Sequence, residues 1–145
     1  MTRITTVLRL LLGTGFVVFG LNYFLHFLPE PEGMPPAAMA FVGALVSSKL
    51  LTFVKIIEIG AGALLLANRF VPLALALLAP ILVGIAFFHA VLVPSGLPVA
   101  VVFLGLELAL AWSYRAAFAP MLRARVAPTA AVPARPRVEA AAQAA

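Results

Sequence analysis

Four runs of apolar residues, each near 20 residues long, alternate along this chain with short polar breaks. The first covers about residues 10–28 and the second about 50–67. Between Arg69 and Glu107 no residue carries a full charge, a stretch too long for one helix, and Pro94-Ser95-Gly96-Leu97-Pro98 divides it. The third run is therefore about 70–93 and the fourth about 98–114. An α-helix rises about 1.5 Å per residue and bilayer hydrocarbon is about 30 Å thick, so about 20 apolar residues cross it. The pattern predicts an all-α chain, an integral membrane four-helix bundle occupying residues 1–121.

The second run is the least secure, because Lys55 and Glu58 lie inside it. Each costs about 2.5 to 3.5 kcal/mol at a helix centre on insertion scales. Neighbouring leucines and isoleucines offset much of that cost, and a re-entrant or surface position is the alternative. Residues 36–49 exceed the needs of a hairpin loop and mix Ala, Met, Phe and Leu with Gly43 and Ser47-Ser48, which predicts a short interfacial helix on the outer face. The tail, 122–145, is rich in Ala, Pro and Arg; it is expected to be a disordered basic tether near anionic lipid.

Composition sharpens the membrane reading. Of 145 residues, 64% are hydrophobic and 10% charged, with a mean hydropathy of +1.14, too apolar to give a soluble domain its polar shell. The absence of cysteine excludes disulfides, thiolate metal sites and a dithiol relay within this chain. The net charge of +5 does not point to nucleic acid, since the arginines border apolar runs instead of interleaving with aromatic and polar residues. Arg3 and Arg9 before an apolar stretch superficially resemble a secretory signal, but no small-residue cleavage site follows, so an uncleaved first helix is expected. Arg3, Arg9, Arg69, Arg115, Arg123, Arg125, Arg135 and Arg137 fall on one side of a four-span chain, and Glu30, Glu32 and Lys49 on the other. The positive-inside rule then puts both termini in the cytoplasm of a bacterial-type inner (plasma) membrane, with Trp112 and Tyr114 in the inner aromatic belt and Tyr23 toward the outer one.

Two hairpins are predicted to repeat. His26 precedes Gly33-Met34-Pro35 by seven residues, as His89 precedes Gly96-Leu97-Pro98. Glu58 precedes Arg69-Phe70-Val71-Pro72, and Glu107 precedes Arg115 and Phe118-Ala119-Pro120 at nearly matching spacings. Residues 36–49 become an insertion in the first copy, and the symmetry axis lies along the membrane normal. Chance similarity between Leu- and Ala-rich helices is the alternative.

Candidate chemistry lies in the residues that lipid rejects: Asn22, His26, Lys55, Glu58, His89 and Glu107. Gly15, Phe19, Asn22 and His26 share one stripe of the first helix, and Lys55, Glu58 and Gly62 share one stripe of the second. The six are expected to face one interior polar chamber, with Lys55 and Glu58 paired at i,i+3 and Glu107 either protonated or hydrogen-bonded to a histidine. Pro80 is expected to bend the third helix and open room toward His89. Such a chamber suits a quinone headgroup, whose carbonyls accept hydrogen bonds and whose reduction takes up protons. Mutual satisfaction of the polar groups to fix helix register is the bland alternative. A haem held by His26 and His89 is not favoured on two histidines alone. A metal set of His26, His89, Glu58 and Glu107 has suitable ligand types but no diagnostic spacing, so no metal site is predicted.

The string Arg9-Leu10-Leu11-Leu12-Gly13, Phe19-Gly20-Leu21-Asn22 and His26-Phe27-Leu28-Pro29 resembles the start of DoxX-like membrane proteins. Lys55-Ile56-Ile57-Glu58, Asn68-Arg69-Phe70-Val71-Pro72, Ala79-Pro80-Ile81 and Phe88-His89 continue it, so the resemblance covers about residues 4–121. It implies a small four-helix membrane protein associated with respiratory or redox systems, working beside a soluble oxidoreductase partner; it transfers no catalytic residue. The leading expectation is a quinone-linked subunit of a membrane oxidoreductase system, whether or not this chain is itself the enzyme. A small transporter or channel using the Glu/His/Lys layer, and a scaffold for a soluble partner, are the alternatives. The partners expected are the lipid bilayer and that soluble protein; a homo-oligomer is left open.

Overall fold

The computed structural model describes residues 3–29 and 33–126, and these are helices joined by short turns, with no strand among them. The elements are α1 (Arg3–Leu25), α2 (Pro36–Ser47), α3 (Leu50–Leu66), α4 (Val71–Val91), a 3-10 turn at Pro94–Gly96, α5 (Leu97–Ser113), α6 (Arg115–Phe118) and a last 3-10 turn at Ala119–Leu122. The part of the predicted tail from residue 127 onward lies outside the described residues. α1 starts at Arg3 and not near residue 10, because the backbone helix continues through polar residues that an apolar window leaves out.

Local chemistry sets the helix ends. α1 stops where His26 takes a left-handed φ of 50°. There the N–H of His26 donates to the Asn22 carbonyl at 2.8 Å, and the N–H of Leu28 donates to Asn22 Oδ1 at 2.7 Å. α3 ends in a Schellman arrangement: Asn68 is left-handed at φ 55°, its N–H bonds the Leu65 carbonyl at 3.1 Å, and the N–H of Arg69 bonds Leu64 at 3.0 Å. Prolines at the starts of α2, α4 and α5 sit where a helix has no use for their missing N–H.

α1 packs on α3, α3 on α4, α4 on α5, and α5 back on α1. Neighbours are antiparallel, so one end of the molecule holds the start of α1 and the end of α5 (the terminal end), and the other is crossed by α2. Helices α1, α4 and the stretch Pro94–Ser113 are each long and apolar enough to cross a membrane. α3, with 17 residues, reaches that length only together with α2, from which it is bent by 81°. The core fills the terminal end: Leu12, Leu65, Leu75, Leu78, Leu82 and Leu110 are essentially inaccessible. Toward α2 the helices part.

Candidate functional site

Glycine contacts hold α1 against α3 and so set the rotation of α3. A Cβ on Gly13 would lie 3.0 Å from the Gly62 carbonyl oxygen, and one on Gly62 3.0 Å from that of Gly13. Gly20 accommodates Ile59 in the same way, 2.6 Å from such a Cβ. Near the α2 end the Tyr23 hydroxyl and Thr52 Oγ1 share a hydrogen bond of 2.8 Å. With Gly62 locked on α1, Glu58 one turn earlier is turned inward and is only 2% exposed. Lys55 Nζ donates to Glu58 Oε2 at 2.7 Å, so the acid's charge is matched within its own helix.

This pair stands in the wall of a cavity of 660 Å³ at the α2 end. Phe16 and Phe19 of α1 and Phe103 of α5 form one side, with Phe103 edge-on to Phe16 at 5.6 Å between ring centres. Val54, Lys55 and Glu58 of α3 form another. Pro80, Ile85, Phe88 and His89 of α4 face them. Phe41, Val42 and Leu45 of α2 complete the lining, and Phe41 stacks on Phe88 at 5.8 Å, so α2 covers the cavity and is tied to α4 through a ring contact. Pro80, which interrupts the hydrogen-bond ladder of α4, lies in the cavity wall together with His89.

His89 sits in the last turn of α4 with Nδ1 3.2 Å from the Val93 carbonyl oxygen. Because a carbonyl only accepts, the hydrogen of the neutral ring belongs on Nδ1, which leaves Nε2 with a free lone pair. Gly96 packs directly on the imidazole, where a Cβ would overlap the ring. The cavity thus combines a mostly apolar wall with one ammonium, one carboxylate and one imidazole.

Only three of the six candidate residues share this space, so the single polar chamber expected from the sequence is corrected to two separate places and a capping turn. Asn22 serves the turn after α1, where its side chain caps Leu28. His26 is exposed beyond the end of α1, because its left-handed backbone carries it off the stripe that a continued helix would have extended. Glu107 is buried at 3% exposure but lines a different cavity, of 170 Å³, between α4 and α5 toward the terminal end. No group of three or more His, Asp or Glu could hold a metal ion among the described residues, so the four-residue metal set is not assembled. A haem between His26 and His89 likewise loses its first ligand to the exposed turn. The residues of the supposed repeat also diverge in role: Gly96 cradles His89, whereas a Cβ on Gly33 would meet nothing within 4 Å.

Sequence reasoning missed two inward-facing groups. Arg9, read as a topology signal, is 6% exposed and donates through Nη1 to the carbonyls of Leu65 and Leu66, the second at 3.1 Å. These are last-turn carbonyls of α3: Leu65 otherwise accepts only from the Asn68 N–H of the capping turn, and a cation is favoured there by the helix dipole. Its spacing to Leu12, Gly13, Phe16 and Gly20 was the available signal, since these form one buried stripe. Tyr114, expected with Trp112 in an aromatic belt, instead packs on the core with its hydroxyl buried, while Trp112 is exposed. One stripe runs Glu107, Leu110, Tyr114, and it points inward.

No family model, no curated protein and no solved structure matches this chain.

Proposed function

We propose that the chain crosses a lipid bilayer four times, through α1, α3, α4 and α5, and uses the cavity under α2 to bind the head of a lipid-soluble carbonyl compound of the quinone class. Outward-facing Leu11, Phe53, Leu73, Phe87, Val102 and Leu108 support insertion, since all are exposed and would otherwise meet water. The 17 residues of α3 give a span of about 26 Å, short of the hydrocarbon thickness, and α2 at 81° lies across the outer face to complete that side. The arginines at the terminal end support a cytoplasmic position for it in an inner membrane.

The observation that carries the ligand reading is the Lys55–Glu58 pair and His89 in one otherwise apolar wall. Lys55 has three N–H donors and uses one on Glu58, so it can donate another to a quinone oxygen while Glu58 and His89 accept or return protons. A subunit that positions the quinone for a redox partner is the role that the DoxX-like resemblance implies. A channel is less well supported, because the leucine layer of Leu12, Leu65, Leu78 and Leu82 leaves no continuous polar path to the terminal end.

The test is the quinone content of the purified full chain, measured by mass spectrometry of its lipid extract against the membrane it came from. Enrichment that disappears in Lys55→Met and His89→Phe supports the reading. Content equal to the bulk membrane in the unmodified protein sinks it.

A further inference from the structure

Glu107 is the buried acid that the cavity under α2 does not use. Its Oε2 is enclosed with no hydrogen-bond partner, and the ion pair of Lys55 with Glu58 is the only one among the described residues. The walls of its small cavity offer no compensating charge: α4 contributes Leu75, Ala76 and Ala79, α5 Leu108 and Ala111, and α6 Phe118. Arg115, the nearest cation along the chain, is engaged elsewhere, with its guanidinium over the Trp112 ring at 5.3 Å and Nη1 donating to the Trp112 carbonyl. Arg9 is committed to the end of α3. An ionised carboxylate enclosed without a counter-charge is among the costliest groups a protein can hold, so this one must carry a proton or a cation.

α4 supplies what a neutral acid needs. Pro80 has no N–H, so the carbonyl of Ala76, one turn earlier, lacks its helical donor, and Ala76 lines the same cavity as Glu107. A freed carbonyl accepts a hydrogen bond from a carboxylic acid and gains nothing from a carboxylate. Two turns along the same face of α5, the Tyr114 hydroxyl is also buried and unpaired, so polar groups continue from Glu107 toward the terminal end.

We propose that Glu107, with the Ala76 carbonyl, forms a proton-binding site on the α4–α5 face, separate from the ligand cavity and loaded in the resting protein. The carboxylic O–H is the donor and the Pro80-freed carbonyl the acceptor. The leucine layer of Leu75, Leu78, Leu82 and Leu110 separates this site from Lys55 and Glu58. The site does not depend on whether the larger cavity takes a quinone.

Infrared spectroscopy of the full chain in lipid nanodiscs tests the proposal. At neutral pH the unmodified protein should show the C=O stretching band of a neutral carboxylic acid, shifted down in deuterium oxide. Glu107→Gln should abolish that band, and Glu58→Gln should leave it in place. Three results overturn the proposal: no such band in the unmodified protein, a band that persists in Glu107→Gln, or a band removed by sodium chloride but not by choline chloride at constant pH. The last would make the site one for sodium. If Glu107→Gln fails to fold, Glu107→Asp makes the assignment: it should shift the band, and a band left unchanged by it overturns the proposal.

Discussion

The two buried acids among the described residues, Glu58 and Glu107, each sit on the second helix of an antiparallel pair, yet their surroundings differ in kind. Glu58 has a cation three residues earlier on its own helix and bonds it at 2.7 Å; Glu107 has none within reach. The seams beneath them differ as well. α1 and α3 approach until the backbones at Gly13 and Gly62 touch, whereas Gly84 of α4 and Gly105 of α5 are exposed and draw no helix against another. A tight seam with a local ion pair holds a charge in a fixed place beside a cavity. The α4–α5 pair, with a proline in one member and no cation in its cavity, suits a neutral acid against a free carbonyl.

The sharpest way to break that contrast is to remove the cation. Lys55→Met leaves Glu58 buried without a partner and should destabilise the protein by about 3 to 5 kcal/mol. Unfolding in a graded denaturing detergent would show it, and adding Glu58→Met to Lys55→Met should recover most of the loss. Equal stability of Lys55→Met and the unmodified protein would mean that the pair is idle.

A smaller loss is expected from Arg9→Met, which removes a charged donor from the Leu65 and Leu66 carbonyls and leaves Leu65 with the Asn68 N–H alone. Hydrogen bonds from charged donors suggest about 1.5 to 3 kcal/mol, with protease cleavage near Asn68 rising as the helix end frays. Were Arg9 only a topology signal, Arg9→Lys would behave like the unmodified protein and Arg9→Met would change orientation instead of stability.

Least costly, and most informative about the two seams, is the pair Gly62→Leu and Gly105→Leu. Overpacking at Gly62 should cost about 1 to 3 kcal/mol, because a side chain there would meet the Gly13 carbonyl oxygen as well as Val17 and Phe16. Gly105→Leu, facing open space, should stay within about 0.5 kcal/mol in the same assay. Similar losses at both positions would mean that the close approach at Gly13 and Gly62 does not hold α1 against α3.

Much of the helical layout was legible from the spacing of apolar runs and breakers. α3 begins at Leu50 as expected, Pro94 to Pro98 does separate α4 from α5, and the stretch after Pro35 does form a helix. Lys55 and Glu58 were legible as a pair because i,i+3 on one helix is a local relation. The site as a whole was not. Six lipid-averse residues on four helices look equivalent when only depth along each helix is known, and depth does not say how far each helix is turned about its axis. Arg9 and Tyr114 were misjudged for the same reason, since each was read by its place at a helix end and not by the stripe it shares.

Composition and periodicity therefore determined that this chain is helical, apolar over most of its outer surface, and furnished with a few ionisable groups inside its long helices. These properties follow from local propensity and from the solvent that each residue tolerates. Tertiary packing alone decided which groups meet. The Gly13–Gly62 contact rotates Glu58 toward the cavity, the left-handed turn at His26 removes that histidine from it, and the packing of α4 on α5 puts Glu107 in a different space from His89. Rotation about a helix axis is set by which surfaces interlock across a seam, and that is a property of pairs of helices that no single stretch of sequence carries.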